Sequence, residues 1–252
     1  MGAEPLLITT IGLSLTGFLV GVRLRHWLQQ SKADQFNLVK PAWFQTGLQI
    51  GFYLGLPYFM LVMGYLPARF LGLKGIAFLI WPNFSQPASA VIDFVLTQIG
   101  KFILTWMADI GPAAAAGAGL GGMMLLLYWL YLQALKPNPE LELRVYHSKI
   151  GLIFEVMHWA FYRAIIWYLV DSIYLGTMIS LAVLAVEYSL AGRLGNFSAG
   201  DQRQYLLRFS LGLTTSILFL FAPNLWLIFL FHFLMVIMVE ELSRIALNLK
   251  AV

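Results

Sequence analysis

Cysteine is absent from the 252 residues, and charged residues are scarce, at 11% of the chain. The first absence excludes disulfide bonds, thiolate metal sites and cysteine nucleophiles. The second sets the chain apart from soluble domains, in which about a quarter of the residues are charged. A net charge of +4 indicates nucleic-acid binding only where basic residues cluster on a soluble face, and here they lie in short loops. We therefore predict no nucleic-acid partner.

Long apolar runs fill most of the sequence, which is 60% hydrophobic with a mean hydropathy of +0.78. A helix needs about 20 mainly apolar residues to cross a bilayer. The segments of this kind are 5–22, 42–66, 112–135, 150–170, 172–190, 207–221 and 224–242. No basic residue precedes the first segment, which favours an uncleaved span over a secretory signal. The expected fold class is all-α: one polytopic transmembrane helical bundle that forms a single membrane domain over 1–252.

Prolines and small residues predict local features of these spans. Pro57 predicts a kink in the second span, since proline removes a backbone hydrogen bond. Pro223-Asn224 predicts a turn between the last two spans. The run 111–122 is rich in glycine and alanine, which lets helix backbones approach closely.

The segment 88–107 has a narrow polar stripe, formed by Ser89, Asp93, Thr97, Lys101 and Thr105. Such a helix lies in the membrane interface, or spans with its stripe facing the bundle. Basic residues decide between the two, because they favour the cytoplasmic side.

With the N-terminus outside and 88–107 not crossing, only Arg69 and Lys74 of the 16 basic residues fall in outer loops, while Lys101 and Arg163 lie at or in the membrane. The sequence therefore predicts about seven spans plus one amphipathic or additional helix, with the C-terminus cytoplasmic.

An acid, an imidazole and a guanidinium lie within the stretch Glu155-Val-Met-His158-Trp159-Ala-Phe-Tyr162-Arg163 of one apolar segment. Ionisable groups at membrane depth are costly and suggest a functional site by default. Spacings of three and four place Glu155, His158 and Trp159 on one helix face, which Tyr162 continues. The alternative is structural, because such groups also tie helices together.

Two later residues reach a similar depth. Glu187 lies near the inner end of 172–190, and His232 lies near the middle of 224–242. Because short connections favour neighbouring helices, we expect Glu155, His158 and His232 to line one polar cavity in the inner half of the membrane. Glu187 is an additional candidate, and its alternative is a place at the membrane interface.

Two motifs resemble those of the CPBP family, the CAAX-type prenyl-protein proteases and bacteriocin-processing enzymes. The stretch His158-Trp-Ala-Phe-Tyr-Arg163-Ala164 is similar to the family's first motif, Glu-Glu-x-x-x-Arg-Gly. The stretch Asn224-Leu-Trp226-Leu-Ile-Phe-Leu-Phe-His232 is similar to its last motif, with a histidine in mid-helix. The resemblance covers about 150–242, a CPBP-like core that follows the N-terminal spans of 1–149. It is closest to a divergent bacterial branch, which implies a bacterial plasma membrane.

The resemblance implies an intramembrane endopeptidase that uses a glutamate and no cofactor. Glu155 would be the general base, His158 and His232 would orient water or stabilise the oxyanion, and Arg163 would hold the acid or balance its charge. The paired glutamates of the first motif are replaced by His158 and Trp159. Glu187 occupies about the place of the middle-motif histidine, and only Arg163 and His232 match directly. The implied partners are membrane lipid and a membrane-associated peptide or protein substrate.

Three alternatives stay open. Glu155, His158, Glu187 and His232 form a plausible carboxylate–imidazole set for zinc, although Glu-x-x-His lacks the second histidine of the zincin motif. The loss of the glutamate pair favours a non-catalytic membrane scaffold or a subunit of a larger membrane complex. Transport would use the same buried acids as a proton path, but no inverted repeat or pair of broken helices supports it.

Overall fold

The computed structural model describes residues 3–30, 42–73, 88–134, 149–195 and 199–251, which are mostly helical and contain no β-strand. In chain order the helices are α1 (Ala3–Gln30), α2 (Ala42–Ile50), a π-helical turn (Gly51–Gly55), α3 (Leu56–Val62), α4 (Ala68–Leu71), α5 (Ala88–Ala134), α6 (Lys149–Val170), α7 (Ile173–Gly195), α8 (Ala199–Phe221) and α9 (Leu225–Ala251). The all-α class is confirmed for these residues. The loops 31–41 and 135–148, which hold four of the twelve predicted inner basic residues, lie outside them.

Five of the described helices are long and apolar enough to cross a membrane. The apolar windows are Glu4–Arg23 in α1, Ile92–Ala134 in α5, Ile173–Arg193 in α7, Arg203–Phe221 in α8 and Leu225–Ala246 in α9. They overlap the predicted spans 5–22, 112–135, 172–190, 207–221 and 224–242. These helices are consistent with an integral membrane protein, and the count of seven spans stays a prediction.

The predicted span 42–66 is a shorter apolar helix, Thr46–Val62, interrupted by a π-helical turn. The turn ends at Gly55, two residues before Pro57, which occupies the first turn of α3. A π-helical turn widens the backbone locally. The interruption expected at Pro57 therefore takes the form of a widened turn that precedes the proline ring.

The segments 88–107 and 112–135 belong to one helix, which corrects their separation in the sequence analysis. The 47 residues of α5 run through Pro112 without a break. Proline is tolerated in membrane helices, where neighbouring groups compensate for the lost backbone bond. At about 1.5 Å per residue α5 is about 70 Å long, more than twice the hydrocarbon thickness of about 30 Å.

The glycine-rich part of α5 contacts α9. A Cβ atom on Gly117 would lie 2.9 Å from the Phe231 ring, and one on Gly121 would lie 2.9 Å from the Met235 sulfur. The two glycines let the helices meet this closely without displacing Phe231 or Met235, as predicted for this run. Farther along the same interface, the Tyr128 hydroxyl lies 2.7 Å from Ser243 Oγ.

Helix α6 is enclosed by the rest of the bundle. It contacts α1, the π-helical turn, α4, α7 and α9. Every residue from His158 to Ile166 is buried, whereas only about a sixth of the apolar window of α1 is buried. His158 and Arg163 thus lie on a part of α6 that protein shields from lipid, as expected from the cost of charge in lipid.

A tight turn joins α6 to α7. Asp171 has φ = 49°, a left-handed conformation that aspartate tolerates better than most residues. After the turn the helices approach closely, since a Cβ atom on Gly176 would lie 2.7 Å from the Trp167 Cα. Antiparallel pairing about Asp171 then sets which residues of α6 and α7 face each other.

The short helix α4 ends against α9. Gly72 has φ = 76° and caps α4. Its carbonyl accepts a hydrogen bond of 2.8 Å from the backbone N–H of Leu225, the first residue of α9. The ring of Phe219 lies directly above Gly72. The predicted turn at Pro223-Asn224 connects α8 to α9 beside this contact.

Candidate functional site

His158 and Glu187 form a buried pair between α6 and α7. His158 Nε2 lies 2.9 Å from Glu187 Oε1 and 3.1 Å from Oε2. The side chains are 6% and 0% exposed. With Glu187 ionised, the imidazole N–H donates to the carboxylate, and such charge-assisted bonds are stronger than neutral ones. The structure therefore places Glu187 in the interior rather than at the interface.

Aromatic rings surround the imidazole of His158. Tyr162 lies one turn later on α6, with its ring centroid 4.4 Å away, and Tyr53 of the π-helical turn lies edge-on at 5.2 Å. Phe18 of α1 stacks at 5.9 Å, and Phe52 lies at 6.3 Å. The π-helical turn and α1 thus close the side of the pair that faces away from α7.

Glu155 has different partners from His158. The Tyr188 hydroxyl donates a hydrogen bond to Glu155 Oε1. Arg208 Nε of α8 lies 4.0 Å from Oε2, the edge of ion-pair range. These side chains are 12% exposed for Glu155 and 18% for Arg208. Glu155 is therefore held at the rim of the polar region, one turn from the His158–Glu187 pair.

Arg163 does not pair with Glu155, which corrects the expected charge balance. Its guanidinium carbon lies 3.3 Å from the centroid of the Phe219 ring. Eight residues separate it from Glu155, about 12 Å along the axis, and Arg208 supplies the cation instead. A desolvated cation–π contact contributes about 2 kcal/mol, and among the described residues no hydrogen-bond acceptor reaches Nε or Nη2 of Arg163.

His232 is fully buried on α9 and packs against Trp159. The two ring centroids lie 5.3 Å apart at an interplanar angle of 73°. On its other side, Trp159 contacts Gly212 of α8, where a Cβ atom would lie 2.8 Å from the indole. Trp159 thus fills the space between α6, α8 and α9, and His232 faces this part of the bundle.

The polar residues of α6 therefore divide between two faces. Glu155 and His158 face α7, where Tyr188 and Glu187 meet them. Trp159 and Arg163 face α8 and α9, where they contact His232 and Phe219 respectively. The structure brings His158 and Glu187 together by direct hydrogen bonds. A single cavity shared by Glu155, His158 and His232 stays a prediction.

Three polar partners were not foreseen: Tyr188, Arg208 and Tyr53. Tyr188 was detectable, because the turn at Asp171-Ser172 fixes the antiparallel register. Residues at equal distances before and after this turn should face each other. Glu155 and Tyr188, each 16 residues from the turn, do so. Arg208 and Tyr53 come from segments that the turn does not align with α6.

No group of three or more histidine, aspartate and glutamate side chains in the described residues could hold a metal ion. The four residues of the zinc alternative do not lie together. Glu155, His158 and Glu187 lie where α6 faces α7, whereas His232 lies where α6 faces α9. The absence of a cofactor and the zinc alternative both stay untested predictions.

Comparisons with models of protein families, with curated proteins and with solved structures find no match to this chain. The resemblance to the CPBP family therefore rests on the two motifs alone.

Proposed function

We propose that the chain is a CPBP-like intramembrane endopeptidase in which the acid and the imidazole have exchanged helices. The observation that carries this proposal is the buried contact of 2.9 Å between His158 and Glu187. His158 stands where the family's first motif has glutamate, and Glu187 stands near the place of its middle-motif histidine. The exchange keeps one carboxylate and one imidazole within hydrogen-bond distance.

In this proposal Glu187 replaces Glu155 as the general base. Glu187 takes a proton from water, the resulting hydroxide adds to the peptide carbonyl, and the C–N bond breaks. The amine leaves with the proton, so that water and a peptide bond become a carboxyl group and an amine. His158 orients the carboxylate and stabilises its ionised form through the N–H bond. Since Glu187 is 0% exposed, the surrounding rings must open to admit water and substrate.

Glu187→Gln should lower the rate of peptide cleavage at least about 100-fold, the usual contribution of a general base. The double variant His158→Glu/Glu187→His should recover part of that loss, because it restores the family's arrangement. The measurement is mass spectrometry of the products from a library of membrane-anchored peptides in proteoliposomes. Glu241→Gln, at an exposed carboxylate that pairs with Arg244, is the matched control.

Full activity in a folded Glu187→Gln protein would disprove the catalytic role. If the wild type cleaves no member of the library, the non-catalytic scaffold or complex subunit becomes the better explanation. The complete enclosure of Glu187 favours this second candidate, because a structural pair needs no access to water. The first part of α5 supports it as well, since apolar residues such as Leu96, Ile103 and Leu104 are exposed there.

We infer that the protein lies in a bacterial plasma membrane with about seven spans, the N-terminus outside and the C-terminus cytoplasmic. The distribution of basic residues supports this orientation. Cysteines introduced in 31–41 and in 136–148 should both resist a membrane-impermeant thiol reagent applied from outside, and the absence of native cysteine removes background labelling. Labelling of 136–148 from outside would mean that the first part of α5 crosses the membrane as well.

A further inference from the structure

Arg163 carries a charge that the described part of the chain does not balance. The residue is 3% exposed, and arginine stays protonated under all ordinary conditions. Three buried or half-buried carboxylates of the described residues have other partners: His158 for Glu187, Arg208 for Glu155, and Asn224 for Asp109. A buried guanidinium without an anion is unfavourable, so the charge needs an acceptor from elsewhere.

Unmatched hydrogen-bond donors lie on the face of α6 that carries Arg163. Nε and Nη2 of Arg163 have no acceptor among the described residues, and neither does the indole N–H of Trp159, one turn earlier on the same face. The Phe219 ring covers one side of the guanidinium at 3.3 Å. Unmatched donors beside a fixed cation are suited to an oxoanion, which accepts several hydrogen bonds at once.

We propose that the face of α6 formed by Trp159 and Arg163 binds the carboxylate or phosphate group of a membrane amphiphile. The unmatched donors favour binding of an oxoanion. The apolar surface beside them favours an oxoanion that carries a hydrocarbon chain. Because this face is packed against α8 and α9, the helices must part to admit the anion. An anion that reaches Arg163 in this way leaves water entirely, which a free ion does only at great cost. An amphiphile offsets this cost by burying its chain. The site is separate from the His158–Glu187 pair, and it holds whether or not the protein hydrolyses peptides.

The test uses the full chain in neutral detergent and follows thermal unfolding by tryptophan fluorescence. Oleate and dioleoylphosphatidate should raise the Tm in a saturable manner, and oleyl alcohol and dioleoylglycerol, which lack the anion, should not. Arg163→Met should weaken the apparent affinity for oleate by about 10- to 100-fold, the usual effect of losing hydrogen bonds to a charged group. Arg69→Met is the matched control, because Arg69 also lies over a phenylalanine ring, at 4.7 Å, but is exposed.

Equal shifts in the wild type and in Arg163→Met would overturn the site. Acetate and inorganic phosphate carry the same anionic groups without a hydrocarbon chain. If they raise the Tm as much as oleate does, the ligand need not be an amphiphile and that part of the proposal is wrong. Native mass spectrometry of the wild type keeps the proposal testable if Arg163→Met does not fold. Retention of oleate in preference to oleyl alcohol is expected there, and equal retention would contradict the proposal.

Discussion

Replacing His158 with leucine is expected to lower the free energy of unfolding by about 3–5 kcal/mol, because the Glu187 carboxylate would stay buried without its imidazole. Glu187→Gln should lose much less, about 1 kcal/mol, since the amide oxygen still accepts the imidazole N–H. The double variant His158→Leu/Glu187→Leu should lie near the wild type, because an apolar pair of similar volume removes the cost of burying charge.

Equilibrium unfolding in detergent of the wild type, His158→Leu, Glu187→Leu and the double leucine variant measures the coupling between the two positions. Arg244→Leu, which breaks an exposed ion pair with Glu241, is the control and should change stability by a few tenths of a kcal/mol at most. Additive effects of the two leucine substitutions would show that the contact contributes nothing to stability. Glu187→Gln also separates the two roles of the pair, because it should lower the cleavage rate at least about 100-fold while largely keeping the fold.

Gly72→Ala is expected to lower the free energy of unfolding by about 2–5 kcal/mol. A left-handed conformation costs roughly 1–2 kcal/mol for a residue with a Cβ atom. The added atom would also lie 2.5 Å from the Phe219 ring, and overpacking of this kind costs about 1–3 kcal/mol. Thermal or chemical unfolding of the purified protein measures the loss.

Gly64→Ala isolates the backbone part of this effect. Gly64 has φ = 73°, and no atom lies within 4 Å of the position of its Cβ. It should therefore lose only the roughly 1–2 kcal/mol of conformational strain. Equal losses in the two variants would mean that Phe219 moves away at no cost. Because Phe219 also lies under Arg163, Gly72→Ala and Arg163→Met should be non-additive.

The sequence predicted the helices better than their contacts. The long apolar segments of the sequence correspond to α1 and to α6 to α9. A long apolar segment is recognisable from composition alone. The prediction failed for α5, where the polar stripe of 88–107 and the distribution of basic residues separated two segments that form one helix. Pro112 does not interrupt that helix, since a proline inside a well-supported membrane helix changes the local hydrogen bonds without ending the helix.

The contacts of the candidate site residues were only partly predictable from the sequence, and the role of these residues as a site stays a prediction. Glu155 and His158 share a helix face, and their partners Tyr188 and Glu187 follow from the register of a short turn. Arg163 was assigned to Glu155 on the basis of charge, although helix geometry keeps the two apart. Its position over Phe219 depends on how α8 packs across α6, which no local pattern in either helix specifies.

The enclosure of α6 has a consequence for biosynthesis. A helix that enters the bilayer from the translocon is exposed to lipid first, and each charged residue near its centre then opposes insertion by about 2.5–3.5 kcal/mol. Helix α6 is not one of the five described helices that are long and apolar enough to cross a membrane. If it crosses as predicted for 150–170, Glu155 and Arg163 would oppose its insertion, whereas the apolar window of α7 has a mean hydropathy of 1.6. We therefore expect α6 to insert together with α7 as a helical hairpin, with His158 and Glu187 already paired before the later helices arrive.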